Sequence, residues 1–306
     1  MLRRRVSAGV AFAAYRSGSA VARALPAGVA VALAGVLGAI LRVALGGRLR
    51  MVRRHLQRAH GGRLSPAELE REVGRAFQSY ARYWVESFRL PDLSPAEIQA
   101  GFVCEGMENL EGGLARGNGV ILALPHLGGW DYGGAWLSTQ GHPVTAVVEA
   151  IEPPELFEWF AGFRRSLGMV VVPLGPEAGP AVLTALHANK VVCLLSDRDV
   201  AGGGVEVEFF GERTTLPGGP LTLALRTGAV VLPTAVYFEG PTGHRAIIGP
   251  PLPLERQGRL RADVARGTQA LAVELEHLIR RAPEQWHLFQ PNWPSDREAA
   301  TGQGRE

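Results

Sequence analysis

The sequence predicts an α/β fold in which a single, mostly parallel central sheet is covered by helices, and three observations carry that expectation. Short strand-like runs alternate with longer helical segments between residues 100 and 281, the pattern of strands joined by crossover helices. The run Val120–Leu124 is apolar throughout, as a strand in the middle of such a sheet reads. Charge is segregated: the first 60 residues contain eleven Arg and no Asp or Glu, which sets them apart from the remainder as an appendage.

At 306 residues the chain exceeds the usual domain size but suits one α/β unit plus an appendage. The whole-chain charge of +3 leaves −8 on residues 61–306 once the eleven arginines are set aside. A basic start implies an anionic partner, and the apolar residues between its arginines select a membrane surface over nucleic acid. Residues 27–41 form an uncharged stretch of 15, short of the roughly 20 that a spanning helix needs, so this stretch should lie in or on the interface. Binding led by arginines should weaken with salt. We therefore expect amphipathic, membrane-associating helices over 1–60, the α/β domain over 61–295 and a flexible tail over 296–306. The basic, apolar start resembles a secretory signal, but Arg16 and Arg23 interrupt it and no convincing cleavage site follows. Cys104 and Cys193 lie in apolar, strand-like surroundings and make no disulfide framework, which points to a reducing, cytosolic setting.

In chain order, residues 1–60 divide into two or three helices at Pro26 and Gly46-Gly47, with Arg48, Arg50, Arg53, Arg54 and Arg58 giving a basic face. Ser65-Pro66-Ala67-Glu68 supplies an N-cap, a proline at the first helical position and an acidic first turn, so a helix runs to about Phe88. Ser94-Pro95-Ala96-Glu97 repeats the signal for a short helix. Phe77, Tyr80, Tyr83, Trp84 and Phe88 recur at helical spacing, a core-facing stripe or else a wall for an apolar ligand. Strands at 102–105 and 120–124 flank a helix at 107–116. Strand 144–148, helix 155–167, strand 169–173, helix 178–189 and strand 191–195 follow. Residues 205–210 belong to a hairpin or loop, 220–227 to a helix, 230–237 and 245–248 to strands, and 264–281 to the last long helix.

Chemistry concentrates where the run 120–124 ends. Pro125 stops the strand, His126 follows, and Gly128-Gly129 turns the chain toward Asp131. Ligands in open α/β sheets bind beyond the carboxyl ends of the strands. Five positions apart on a regular helix, the two side chains would point about 140° apart, so they meet only across a turn, which the glycine pair permits. A carboxylate beside a histidine fixes its tautomer and stabilises the imidazolium, the ordinary way to make a general base. No Ser or Cys nucleophile is evident beside His126, which favours direct attack by an acceptor hydroxyl without a covalent enzyme intermediate. The spacing by itself is weak, since eight His and six Asp give roughly 0.16 such pairs by chance. There is no HExxH, no Cys pair and no Walker-type loop, so neither zinc nor nucleoside triphosphate chemistry is indicated. The other histidines lack motif partners and read as surface or core residues, His287 being the least ordinary of them.

The wider context of His126 is specific. The segment LPHLGGWDYGGAWL is similar to the HxxxxD block of the lysophospholipid acyltransferase superfamily. Within it, the likeness is to the branch of bacterial lipid A late acyltransferases and actinobacterial phosphatidylinositol mannoside acyltransferases. Val148-Glu149, Phe163 to Gly168, Ser196-Asp197-Arg198-Asp199, Phe209 to Glu212 and Leu216 to Pro220 resemble its later blocks, so the likeness runs from about 65 to 295. Ser79 to Trp84, Phe88 to Pro91 and Trp286 to Pro291 bring the chain nearer the mannoside enzymes, and Pro283 to Trp286 lacks the basic ending usual in the lipid A enzymes. The content of 31 Arg against Lys190 alone looks like GC-rich, actinobacterial coding.

The resemblance implies a peripheral enzyme at the cytoplasmic face of the membrane. It would move a long acyl chain, palmitoyl-CoA being the expected donor, from acyl-CoA to the mannose 6-hydroxyl of a phosphatidylinositol mannoside, without cofactor or metal. His126 is then the base and Asp131 its partner. Asp197 is a further catalytic acid at a position where the family more often carries the longer Glu. Glu149 and Arg164 match charged positions near the family's site, or form an ion pair with each other. Arg198 and Arg213 are expected at phosphates of donor or acceptor, near the turn from Leu216 to Pro220, whose helix N-terminus suits an anion; otherwise they are surface arginines. The alternatives are the same transfer to a lipid A precursor or a lysophospholipid, a non-enzymatic membrane-bound scaffold, and metal-dependent hydrolysis of a lipid phosphate.

Overall fold

A computed structural model describes residues 15–149 and 153–301. In chain order the strands are β1 (Phe102–Glu105), β2 (Val120–Leu124), β3 (Val144–Val148), β4 (Val170–Pro173), β5 (Val191–Leu195), β6 (Val205–Phe209), β7 (Glu212–Leu216), β8 (Val230–Glu239) and β9 (Gly243–Ile248). Seven of them form one sheet in the order β1-β9-β8-β2-β5-β3-β4. From β8 to β4 the strands are parallel, while β9 runs antiparallel to β8 and carries β1 parallel to itself. The expected mostly parallel sheet is therefore present, with one mixed edge.

Strand β2 is central and buried at every position. Its side chains divide by the two-residue period of a strand. Ile121 and Ala123 enter a core shared with the helices Ala178–His187, Gly219–Thr227 and Leu260–Arg281. Val120, Leu122 and Leu124 enter the opposite core, against the helix Trp130–Thr139. The segment expected as a hairpin or loop is the hairpin β6–β7. Its turn residues Phe210 and Gly211 both have positive φ, 53° and 75°, as a two-residue turn matching strand twist requires.

Both serine start signals form complete capping boxes. Ser65 Oγ accepts from the Glu68 backbone while the Glu68 carboxylate accepts from the Ser65 N–H, and Ser94 with Glu97 does the same. The last long helix begins earlier than expected, at Leu260, with no side-chain cap to announce it.

The N-terminal region departs from the expectation in one respect. Residues 15–24, Ala27–Ala44 and Leu49–Ala59 are helical, broken at Pro26 and around Gly46, as expected. Part of the basic face, however, is paired with carboxylates of the domain, while Arg48 stays exposed. Arg42 and Arg53 both donate to Glu70, each at 2.6 Å, Arg54 donates to Asp296 at 2.6 Å, and Arg58 reaches Asp296 at 2.9 Å and Glu212 at 2.8 Å. The side chains left outward on Ala27–Ala44 are apolar: Val29, Leu33, Val36, Ile40 and Val43 are 44–82 % exposed. No single described helix is long and apolar enough to cross a membrane; Gly28–Ala44 and Gly46–Ala59 pass that test only as a pair bent by 79°.

The tail expected to be flexible from residue 296 starts as a helix, Pro294–Thr301. Asp296, fully buried, accepts hydrogen bonds from Arg54, Arg58, His55 and the Trp293 N–H. That convergence of donors orders it. The basic Arg3-Arg4-Arg5 start and residues 302–306 lie outside the described residues.

Candidate active site

Register places the site. Leu124 of β2 pairs with Leu195 of β5, so the residues two beyond each, His126 and Asp197, emerge side by side at the carboxyl edge of the sheet. Ser196 N–H donates to Leu124 O at 2.7 Å and carries the ladder to this point. His126 Nδ1 bonds to Asp197 Oδ1 at 2.7 Å, and the His126 backbone N–H donates to Asp197 Oδ2 at 3.0 Å. Trp286 Nε1–H donates to the same Oδ2 at 2.8 Å. Asp197 is wholly buried. Burial opposes its charge, yet His126 and the two further N–H donors outweigh that and hold its carboxyl below the usual carboxylate range. An ionised Asp197 fixes the proton on Nδ1 and leaves Nε2 as the basic nitrogen.

The turn after His126 cannot be built without glycine at position 128. Gly128 has φ +61°, and a Cβ there would lie 2.0 Å from Val236 O. The close approach lets Gly129 N–H donate to that carbonyl at 3.0 Å, which starts the helix Trp130–Thr139 with Asp131 in its first turn.

Asp131 is not the partner of His126, contrary to the expectation from the motif. The turn directs it to the other side, where Arg164 Nε and Nη2 donate to its two oxygens at 2.7 and 3.1 Å and Tyr83 Oη–H donates at 2.8 Å. Burial works against the Arg164 charge, but Asp131 outweighs it and raises the guanidinium above its ordinary value. Burial and the neighbouring Asp131 push the Tyr83 hydroxyl well up. The motif's aspartate thus clamps its own helix to Pro154–Ser166 and Pro66–Arg89. The alternative pairing of Arg164 with Glu149 is also absent: Glu149 faces Arg198 at 3.5 Å.

Two cavities meet at this edge. The wider has a volume of about 500 Å³ and is lined by His126, Trp84, Trp130, Glu149, Arg164, Arg198 and apolar residues of β3, β5 and the helix Pro154–Ser166. The narrower, about 80 Å³, runs between the sheet and the helix Trp130–Thr139, bounded by Phe102, Leu122, Trp136, Met169, Val236 and Ile248. Trp130, Val147, Val148, Arg164 and Leu195 wall both. A wide, mostly apolar chamber that carries His126, Glu149, Arg164 and Arg198 therefore adjoins a narrower apolar slot.

Over residues 4–295 the sequence matches the family described as bacterial lipid A biosynthesis acyltransferase. The chain belongs to this family. It is similar to proteins named phosphatidylinositol mannoside acyltransferase from Mycolicibacterium smegmatis (strain ATCC 700084 / mc(2)155), 38 % identical over 92 % of this chain and 91 % of that one, and from Mycobacterium tuberculosis (strain CDC 1551 / Oshkosh), 40 % identical over 92 % and 88 %. A lipid A biosynthesis acyltransferase of Haemophilus influenzae (strain ATCC 51907 / DSM 11121 / KW20 / Rd) is 30 % identical over 59 % of this chain and 55 % of its own. The protein is an acyltransferase.

Within this family member, His126, Asp131, Asp197, Glu149, Arg164 and Arg198 gather at the sheet edge, whereas Arg213 does not. Arg213 lies on the hairpin with its side chain 84 % exposed, 3.3 Å from Glu206, and lines neither cavity. Of the aromatic stripe, Phe77 is core, Tyr83 holds Asp131, and Trp84 lines the wider cavity, so both readings of the stripe apply to different members. Cys104 and Cys193 line the apolar slot. Burial pushes their thiols up to about 11 and about 12, which keeps them protonated and poorly nucleophilic. Trp286 and Tyr83 were not singled out by sequence reasoning as site residues. The signals for them are the blocks that contain them, Trp286 to Pro291 and Ser79 to Trp84, and for Tyr83 also its place in the aromatic stripe.

Proposed function

We propose that this acyltransferase moves a long acyl chain from acyl-CoA to the mannose 6-hydroxyl of a phosphatidylinositol mannoside, with His126 as general base and Asp197 as the carboxylate that orients it. The observation that carries the reading is the 2.7 Å bond from His126 Nδ1 to the buried Asp197. It leaves the Nε2 edge of a partly exposed imidazole for a cavity that shares walls with an apolar slot.

In this mechanism Nε2 takes the proton of the acceptor hydroxyl as its oxygen attacks the thioester carbonyl. The C–O bond forms, the C–S bond breaks, and the imidazolium returns the proton to the departing thiolate. Asp197 stabilises the imidazolium between these steps. The acyl chain takes the slot past Trp130, and Met169 and the other flexible walls open it, since about 80 Å³ accommodates only a few water-sized groups. Arg198, which among the described residues pairs at 3.5 Å with the half-exposed Glu149, is a cavity-lining cation suited to a substrate phosphate. The acceptor is favoured as a mannoside because the relatives so named match nearly the whole chain, against 59 % for the lipid A enzyme.

The same reading places the enzyme peripherally on the cytoplasmic face of the membrane, where acyl-CoA is available. The support is the outward apolar row Val29, Leu33, Val36, Ile40 and Val43, spaced along one helix as an interfacial face is. Incubating purified protein with palmitoyl-CoA and, separately, phosphatidylinositol mannoside, a lipid A precursor and a lysophospholipid tests the assignment by mass spectrometry of the lipids. Acylation of the mannoside in preference to the other two is expected; preference for either of those overturns the acceptor.

A further inference from the structure

The His126–Asp197 pair is gripped from outside the sheet by a C-terminal strap. Residues 285–287 cross the turn after β2: Gly128 N–H donates to Gln285 O at 2.9 Å and His287 N–H to His126 O at 2.7 Å, with Leu127 and Trp286 facing each other as an antiparallel bridge. Trp286 lies in the middle, 3 % exposed. Its indole N–H and the His126 backbone N–H share Asp197 Oδ2, at 2.8 and 3.0 Å, which leaves Oδ1 for His126 Nδ1. The strap is fixed further on as well. Asn292 Nδ2 donates to Asp197 O at 3.0 Å, and the His55 ring bonds to Leu288 O at 2.7 Å.

We propose that Trp286 is a positioning residue for acyl transfer: its N–H holds the Asp197 carboxylate in the rotation that presents Oδ1 to His126, and so sets where Nε2 points. The proposal rests on the reading of His126 as base. Packing alone does not explain the residue. The ring is surrounded by His55, Phe210 and Trp293, with centroids 5.4, 5.5 and 6.3 Å away, and any large apolar ring serves that purpose. A donor aimed at the buried carboxylate that faces His126 is the feature that packing does not require. A carboxylate with no exposed surface needs its acceptor sites filled by protein donors, and Trp286 supplies one of three.

The test replaces Trp286 with Phe and, separately, with benzothienylalanine, an indole isostere in which sulfur takes the place of N–H. The charged and titratable groups facing the pair are the same in both: Arg198, Glu149 and the Asp131–Arg164–Tyr83 set on the cavity side, His287 beside the strap, and His55, Asp296, Arg54 and Arg58 behind the indole. Loss of a hydrogen bond to a charged group predicts that kcat falls about tenfold to a hundredfold, while KM for either substrate stays within about twofold. Without the donor, Asp197 keeps more negative charge toward His126, so the rising limb of kcat/KM against pH moves to higher pH. Should the Phe variant fail to fold, the isostere decides alone. Wild-type kcat with an unmoved limb in the isostere, or a loss carried by KM, overturns the proposal. His126→Ala in the same assay separates the two readings: activity retained there removes the base assignment and this inference with it, whereas activity abolished there with a wild-type isostere removes only the role of Trp286.

Discussion

At the scale of the residue, two aspartates near one histidine have different tasks. Asp197 faces His126 and is ionised by a ring of donors, while Asp131 neutralises Arg164 in a packed helix junction. Substitutions should separate them. Asp131→Ala leaves the Arg164 guanidinium, only 15 % exposed, without its counter-charge. Thermal unfolding should then show a loss of about 3–5 kcal/mol, the usual consequence of breaking a buried pair from one side. Asp197→Asn keeps the shape but presents an amide to Nδ1; kcat should fall about 10²- to 10⁴-fold with a far smaller change in stability. Parallel losses of stability in both variants would show that the two carboxylates are interchangeable supports.

At the scale of the element, the decisive unit is the strap from Pro283 to Asp296, which joins the N-terminal helix Leu49–Ala59 to the site. Asp296 is its anchor. Burial opposes the Asp296 charge, but His55, Arg54 and Arg58 outweigh it and hold the carboxyl far below the usual range. Because the folded value lies below the unfolded one, this contribution is complete above about pH 4 and is lost as pH falls below that. Asp296→Asn should therefore cost about 2–4 kcal/mol at pH 7, and denaturant titrations should show the gap from wild type closing toward pH 3. A gap that is constant with pH would mean that the charge is not what anchors the strap.

The strap also shows why part of the site was not legible beforehand. The buried run 120–124, the serine caps, the strand–helix alternation and His126 at a strand end are local signals, and each stands where the sequence placed it. The identity of the carboxylate beside His126 is not local. It follows from the β2–β5 register, which sets residues 71 positions apart side by side, whereas spacing in the chain favoured the nearer Asp131. The arginines misled for a related reason. Their count predicts a basic exterior, but Glu70, Glu212 and Asp296, from three other elements, pair with Arg42, Arg53, Arg54 and Arg58. A polar tail becomes ordered for the same cause, since only the assembled fold gives Asp296 its donors.

At the scale of the whole molecule, the proposed membrane association would rest on the apolar row more than on arginines already paired with carboxylates. Apolar insertion of the row Val29 to Val43 is weakly screened by salt, so Val36→Asp combined with Ile40→Asp should release the protein from liposomes in a flotation assay, while raising salt should not. Release of wild type by salt would return the interaction to the arginines. The loss of stability in acid has a second source besides Asp296. Burial, with the neighbouring His126 charge, pushes His287 down from 6.5 to about 3. The unfolded chain therefore takes up this proton first, and stability declines as pH falls from about 6.5 to 3, by up to about 1.4 kcal/mol per pH unit for one group. His287→Gln should flatten that slope in urea midpoints measured between pH 7.5 and 5; an unchanged slope would assign the decline to other groups.

The central claim, that His126 and Asp197 act as one base in acyl transfer, is tested most directly by a double-mutant cycle on the turnover of palmitoyl-CoA with the mannoside acceptor. Groups that act as a unit are not additive. His126→Ala is expected to remove about 10²- to 10⁴-fold of kcat, and adding Asp197→Asn to it is expected to change little more. Wild-type turnover in His126→Ala, or a double variant whose loss is the product of the two single losses, would contradict the account.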